Sequence, residues 1–184
     1  MLYVFGFDKV CVVLGDLYFV DPDPLKGQEG AERGVRLELR VIQRGELKES
    51  IYASTPIEVD QPIWRADFLE DVDGKPFDRT HHHPVFTGWD PGDRVFERAL
   101  SADPLAWLES KLSNLGELLT SAQFPLDTAG PDDEAELRRA APEIVDATRR
   151  LLERVRAGEL GVSPDPDAPL LVDGQWQLVR SGWL

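Results

Sequence analysis

Val35-Arg36-Leu37-Glu38-Leu39-Arg40-Val41 alternates apolar and charged side chains without a break. Side chains on a strand point to opposite faces in turn, so this stretch predicts a β-strand with one dry face and one wet face. Its neighbours read the same way. Upstream, the apolar runs 10–14 and 17–20 flank Gly15-Asp16. A Gly-Asp pair between such runs predicts a two-residue hairpin turn, with residues 2–7 as a further strand. Asp21-Pro22-Asp23-Pro24 should end the pairing, because proline has no amide hydrogen to donate, and residues 26–34, rich in glycine, read as a loop.

Downstream, Arg44-Gly45-Glu46 marks a turn and residues 50–59 a partner strand shortened near Pro56. In residues 63–69 the alternation sets Trp64, Ala66 and Phe68 on one face, and Arg65, Asp67 and Leu69 on the other. Asp71-Val72-Asp73-Gly74 is a turn before a last strand over 77–83. The construction is an antiparallel meander of roughly four to six strands.

From Asp103 the period changes. Asp103 is a suitable N-cap and Pro104 a suitable first helical residue. Leu105, Leu108, Leu112, Leu115 and Leu119 then recur at helical spacing and predict one amphipathic helix. A second helix begins near Pro131, with Asp132, Asp133 and Glu134 complementing its positive end. Its stripe is Leu137, Ala141, Ile144, Thr148, Leu151 and Val155, and Pro142 should kink or split it. Arg138, Arg139, Arg149, Arg150, Arg154 and Arg156 alternate with acids, which predicts ion pairs such as Asp146 with Arg150 and Arg149 with Glu153. Asp173-Gly174 between apolar runs predicts a C-terminal hairpin. The expected class is α+β: an antiparallel sheet packed against C-terminal amphipathic helices, with that hairpin. One domain spans 1–184, β-rich over 1–86, helical over 93–160 and hairpin over 169–180.

Composition narrows the function. The chain has 184 residues and a formal net charge of −14. A surface this acidic repels phosphate backbones and anionic headgroups, so neither nucleic acid nor a membrane is an expected partner. Cys11, the one cysteine, excludes an intrachain disulfide. The start carries no basic leader, no apolar run reaches membrane-spanning length, and a soluble cytoplasmic bacterial protein is expected.

Chemistry concentrates in one place. All three histidines are consecutive, in Arg79-Thr80-His81-His82-His83-Pro84. On a strand, His81 and His83 share a face with Arg79, and His82 takes the other. If residues 63–69 pair alongside, Arg65 and Asp67 join that polar face. Two imidazoles and a carboxylate can hold a divalent metal (His81, His83, Asp67), whereas the arginines and imidazoles without a cation would form an anion site. The ligand-binding candidates are therefore His81, His83, Arg79, Arg65 and Asp67. One strand supplies two metal ligands at most, so the run also reads as the polar end of a surface strand. Trp89, in Gly88-Trp89-Asp90-Pro91-Gly92, reads as a packing residue between sheet and helices, as do Trp64 and Trp107.

Pro62-Ile63-Trp64-Arg65-Ala66-Asp67-Phe68-Leu69-Glu70 followed by His81-His82-His83-Pro84-Val85-Phe86-Thr87-Gly88-Trp89 resembles an uncharacterised bacterial domain family, over roughly residues 35–119. The resemblance implies no known activity or cofactor. The expected function is a non-enzymatic protein-binding or accessory module recognising a protein partner through the acidic surface. The alternative is a small-molecule or metal-dependent enzyme with its site at the histidine strand.

Overall fold

The computed structural model describes residues 1–21, 24, 26, 28–163, 169–172 and 175–178. The described residues form an α+β structure. Strands β1 (Leu2–Gly6), β2 (Val10–Val20), β3 (Ala31–Arg44), β4 (Ile57–Asp71) and β5 (His81–His83) make one antiparallel sheet in chain order. Helices α1 (Arg98–Ala102), α2 (Pro104–Leu112), α3 (Leu115–Ser121) and α4 (Asp133–Arg156) follow. Strands β6 (Pro169–Val172) and β7 (Gln175–Leu178) pair with each other in a separate sheet. The expected Asp173-Gly174 turn lies outside the described residues.

The alternation that defines β3 sorts the whole sheet into two faces. Cross-strand rows Val12–Leu39–Trp64 and Leu14–Leu37–Ala66–His82 lie on one face, and the row Asp16–Val35–Phe68 continues it at one end. The apolar members of these rows belong to one buried cluster with Leu100, Leu108, Leu112, Leu119, Ile144 and Leu151 of the helices. The opposite face carries Val13–Glu38–Arg65–His83 and Gly15–Arg36–Asp67–His81. That polar face is roofed over β4 by the segment 84–96, and Val95 bonds to His82 in both directions (2.9 and 3.0 Å), which extends the sheet past β5 by one residue. The roof explains why β4 is buried on both faces from Pro62 to Glu70 rather than at every second residue.

Several expectations need correction. Gly15-Asp16 is no turn: β2 runs straight through it, because β3 is long enough to pair with all of β2. The loop predicted over 26–34 yields to strand at Ala31 for the same reason. Residues 50–56 are not strand, whereas 57–71 form a single strand with register shifts opposite Arg40, where Pro62 is accommodated without a ladder hydrogen bond. The predicted leucine helix breaks at Ser113-Asn114. Asn114 accepts from the Glu117 amide (3.1 Å) and donates to its carboxylate (3.1 Å), so a new helix starts there. Pro142 does not split α4: it is exposed, so the Arg138 carbonyl that it leaves without an amide partner faces water. Arg149 pairs with Asp146 (2.7 Å), not Glu153, while Arg150 pairs with Asp146 as expected. Trp64 and Trp107 pack together in the core (5.8 Å between rings), but Trp89 is exposed and stacks on Arg40 (5.0 Å).

Two polar details hold the layers. Asp133 is fully buried and its carboxylate accepts from the backbone amides of Asp8 (2.7 Å), Lys9 (3.0 Å) and Gly130 (2.7 Å), tying the β1–β2 turn to the start of α4. At the other end, the Glu159 amide reaches the Arg154 carbonyl (2.9 Å) and the Gly158 amide the Val155 carbonyl (3.0 Å), with Gly158 at φ 74° closing the helix. Cys11 is buried, and burial pushes its thiol up to about 11 against the opposing charge of Arg40. Thiolate is the reactive form, so the native thiol should stay inert to a disulfide reagent at pH 8 and react once denaturant is added. Complete reaction of the folded protein within seconds would contradict this.

Candidate functional site

The polar face brings four of the five candidate side chains together. Register sets Asp67 opposite His81 and Arg65 opposite His83, so His83 is the diagonal neighbour of Asp67. Strand β5 is held in that register by the Arg79 amide (3.1 Å) and the Thr80 hydroxyl (3.2 Å), both donating to the Leu69 carbonyl. His81 and Asp67 are each 1% exposed.

The tautomers follow from the backbone. Nδ1 of His81 lies 2.8 Å from the Arg79 carbonyl, and Nδ1 of His83 lies 3.2 Å from the Gly92 carbonyl. A carbonyl can only accept, so both Nδ1 atoms carry hydrogen, and in the neutral rings both Nε2 atoms carry lone pairs. Those lone pairs converge on one carboxylate oxygen: Asp67 Oδ2 is 3.4 Å from His81 Nε2 and 3.5 Å from His83 Nε2. Lone pairs facing a carboxylate repel unless a positive centre lies among them. A charge-assisted N–H···O bond would be about 2.7–2.9 Å. Ligand atoms around a tetrahedral metal with bonds of about 2.1 Å are separated by about 3.4 Å. The two nitrogen–oxygen spacings match the second case. The three ligand atoms lie within 4.8 Å of one another, and imidazoles anchored through Nδ1–H to backbone carbonyls are the usual outer support of histidine ligands.

The remaining oxygen of Asp67 is held from β3. Arg36 Nε donates to Oδ1 at 2.7 Å and Nη2 to Oδ2 at 3.3 Å. Burial works to raise the Asp67 carboxyl, but hydrogen bonds from the His81 and His83 rings when they are protonated, together with Arg36, outweigh it and hold it well below the usual carboxylate range. Arg65 is different. Its Nε is 3.5 Å from Asp67 and its Nη1 3.8 Å from Glu38, both beyond hydrogen-bonding length, and the buried Nε has no hydrogen-bond partner among the described residues. Its guanidinium lies over the Phe86 ring at 5.4 Å. The four converging side chains line a cleft of about 350 Å³ with Arg36, Arg94, Phe19, Leu69 and Pro91 among the other walls.

Arg79 corrects the expectation made for it. It lies before β5 and its guanidinium turns to Asp71 (2.8 Å), so it serves the site through its backbone amide and carbonyl. Sequence reasoning missed Arg36 and Arg94. Arg36 was visible as a wet-face residue of the alternating strand, yet only the β3–β4 register, which sets it opposite Asp67, assigns its partner. Arg94 comes from the roof and is paired with Asp21 (3.2 Å), Glu32 (3.1 Å) and Gln28 (3.2 Å). His82 points to the helical side, between Trp64 (6.3 Å) and Trp107 (5.2 Å), with Nε2 3.0 Å from Glu97 but not aligned as a hydrogen bond. Burial keeps it below the usual imidazole value despite Glu97.

Among the described residues, no helix is long and apolar enough to cross a membrane. Compared with protein-family models, with curated proteins and with solved structures, the chain matches none. The site must therefore be read from its own chemistry.

Proposed function

We propose that this chain is a metal-dependent enzyme whose divalent cation is held by His81, His83 and Asp67. The observation that carries the reading is the convergence of two lone-pair Nε2 atoms on one buried carboxylate oxygen at 3.4 and 3.5 Å, with both rings locked through Nδ1. Two imidazoles and a carboxylate leave coordination positions open, the pattern of a working rather than a sealed metal site. A cation there would supply Lewis acidity or a water of lowered pKa. The chain's own part is to fix the ligands, with Arg36 holding Asp67 and the segment 84–96 limiting water. A protein partner recognised through the acidic surface is a weaker proposal, since the −14 charge belongs to the whole surface and singles out no residue. Nucleic acid and membrane have no place in this reading. At the fold level, it keeps the expectation that 169–180 closes as a hairpin.

The test is calorimetry on chelator-stripped protein with Zn²⁺, Mn²⁺ and Co²⁺. One ion per chain is expected. At free metal one hundred times Kd, unfolding should become harder by about 2.7 kcal/mol. The double variant His81→Ala, His83→Ala should lose both the heat and the stabilisation. Absence of binding by the parent at millimolar metal would overturn the proposal.

A further inference from the structure

The walls of the cleft show what the open side of this site would receive. The chain as a whole carries −14, yet the cleft is lined by three arginines, Arg36, Arg65 and Arg94, against two aspartates, Asp21 and Asp67. Two of those arginines are committed. Arg36 is bonded to Asp67, and Arg94 to Asp21, Glu32 and Gln28. Arg65 is not: its side chain is 9% exposed, its ion pairs are long, and Nε has no hydrogen-bond partner among the described residues. A buried guanidinium with unused donors is a costly arrangement unless something completes it. Charge points the same way. A divalent cation on the triad would add two positive charges beside Arg36 and Arg65, whose acidic partners among the described residues are Asp67 and Glu38.

The guanidinium fork matches a planar carboxylate, and Phe19, Leu69 and Pro91 supply an apolar wall in the same cleft. A volume of about 350 Å³ lies in the range of small-ligand sites. We infer that the cleft binds a small organic acid, its carboxylate bridging the metal and the Arg65 guanidinium and its carbon chain lying against Phe19, Leu69 and Pro91. This rests on the metal reading proposed above.

The test uses the full chain loaded with Co²⁺, whose visible absorption reports any change of ligands. Acetate, butyrate and hexanoate are titrated in, with inorganic phosphate and butylammonium as comparison probes. Alkanoates should shift the spectrum, butyrate at least fivefold more tightly than acetate, and butylammonium should do nothing. At saturating Co²⁺, Arg65→Gln should weaken butyrate at least tenfold and Arg65→Lys should restore only part of that. Where Arg65→Gln does not fold, the chain-length series on the parent decides alone. Co²⁺ binding with no spectral response to any alkanoate overturns the inference and leaves the metal site standing. Phosphate binding as tightly as butyrate, with no gain along the series, overturns it in favour of an unselective anion site. Failure of Co²⁺ to bind at all removes the metal reading and this inference with it.

Discussion

Asp67→Ala, measured by urea unfolding in the presence of chelator, is expected to lower stability by about 3–5 kcal/mol, the range found when one partner of a buried charge pair is removed. The chelator matters, because it separates the charge network from any bound ion. Among the described residues, Asp67 is the one carboxylate that touches Arg36, Arg65, His81 and His83 together. Without it, Arg36 loses both hydrogen bonds to Asp67, and of its ion pairs Arg65 keeps the 3.8 Å contact with Glu38. The double variant His81→Ala, His83→Ala should be milder, since it removes two rings but leaves the Arg36–Asp67 pair intact. Asp67→Ala should also end metal binding. A variant within 1 kcal/mol of the parent would show that the network is solvated in solution.

Gly34→Ala should lower stability by about 3 kcal/mol or more, at the top of the range for overpacking. Gly34 sits in β3 opposite Leu69, and a Cβ built there overlaps the carbonyl of Phe68. A flexible side chain in the way could swing aside, but the obstacle here is the backbone of β4, buried on both faces. The two strands would have to part, and the strain would reach Arg36 and Asp67 two positions from the glycine and one from Phe68. Metal affinity should therefore fall with stability, although Gly34 touches none of the ligands. Denaturant midpoints and calorimetry on the same preparation test both halves. A Gly34→Ala protein with the parent's midpoint would mean that β3 and β4 are not paired at this register.

The glycine also shows where sequence reading stops. Alternation in 35–41 and 63–69 sorts side chains into faces, and it places Arg65 and Asp67 with His81 and His83 provided that 63–69 pairs alongside the histidine strand. Periodicity is a property of one strand, however, and register belongs to two. Nothing in 35–41 says that Arg36, rather than Glu38 or Arg40, meets Asp67. Gly15-Asp16 misled because the pair turns readily in isolation, while the long partner β3 supplies hydrogen bonds that keep it extended. The roof over the site was illegible for a different reason: residues 84–96 carry no period, and their placement depends on Val95 meeting the last edge of the sheet. Asn114, by contrast, was readable as a cap three residues before Glu117 and was masked by the run of leucines around it.

The Asp133 carboxylate bears on the order in which the molecule assembles. Every strand of the five-stranded sheet pairs with its neighbour in sequence, so the sheet can grow by short closures. The bond from the Asp8 amide to Asp133 spans 125 positions and cannot form until both the first turn and the last long helix exist. Long separations slow a contact far more than they weaken it, because loop entropy grows only by about 0.6 kcal/mol per doubling of length. Asp133 is thus expected to be a late contact on the folding path and a full-strength one in the finished protein, fastening the first turn of the sheet to the start of the last long helix.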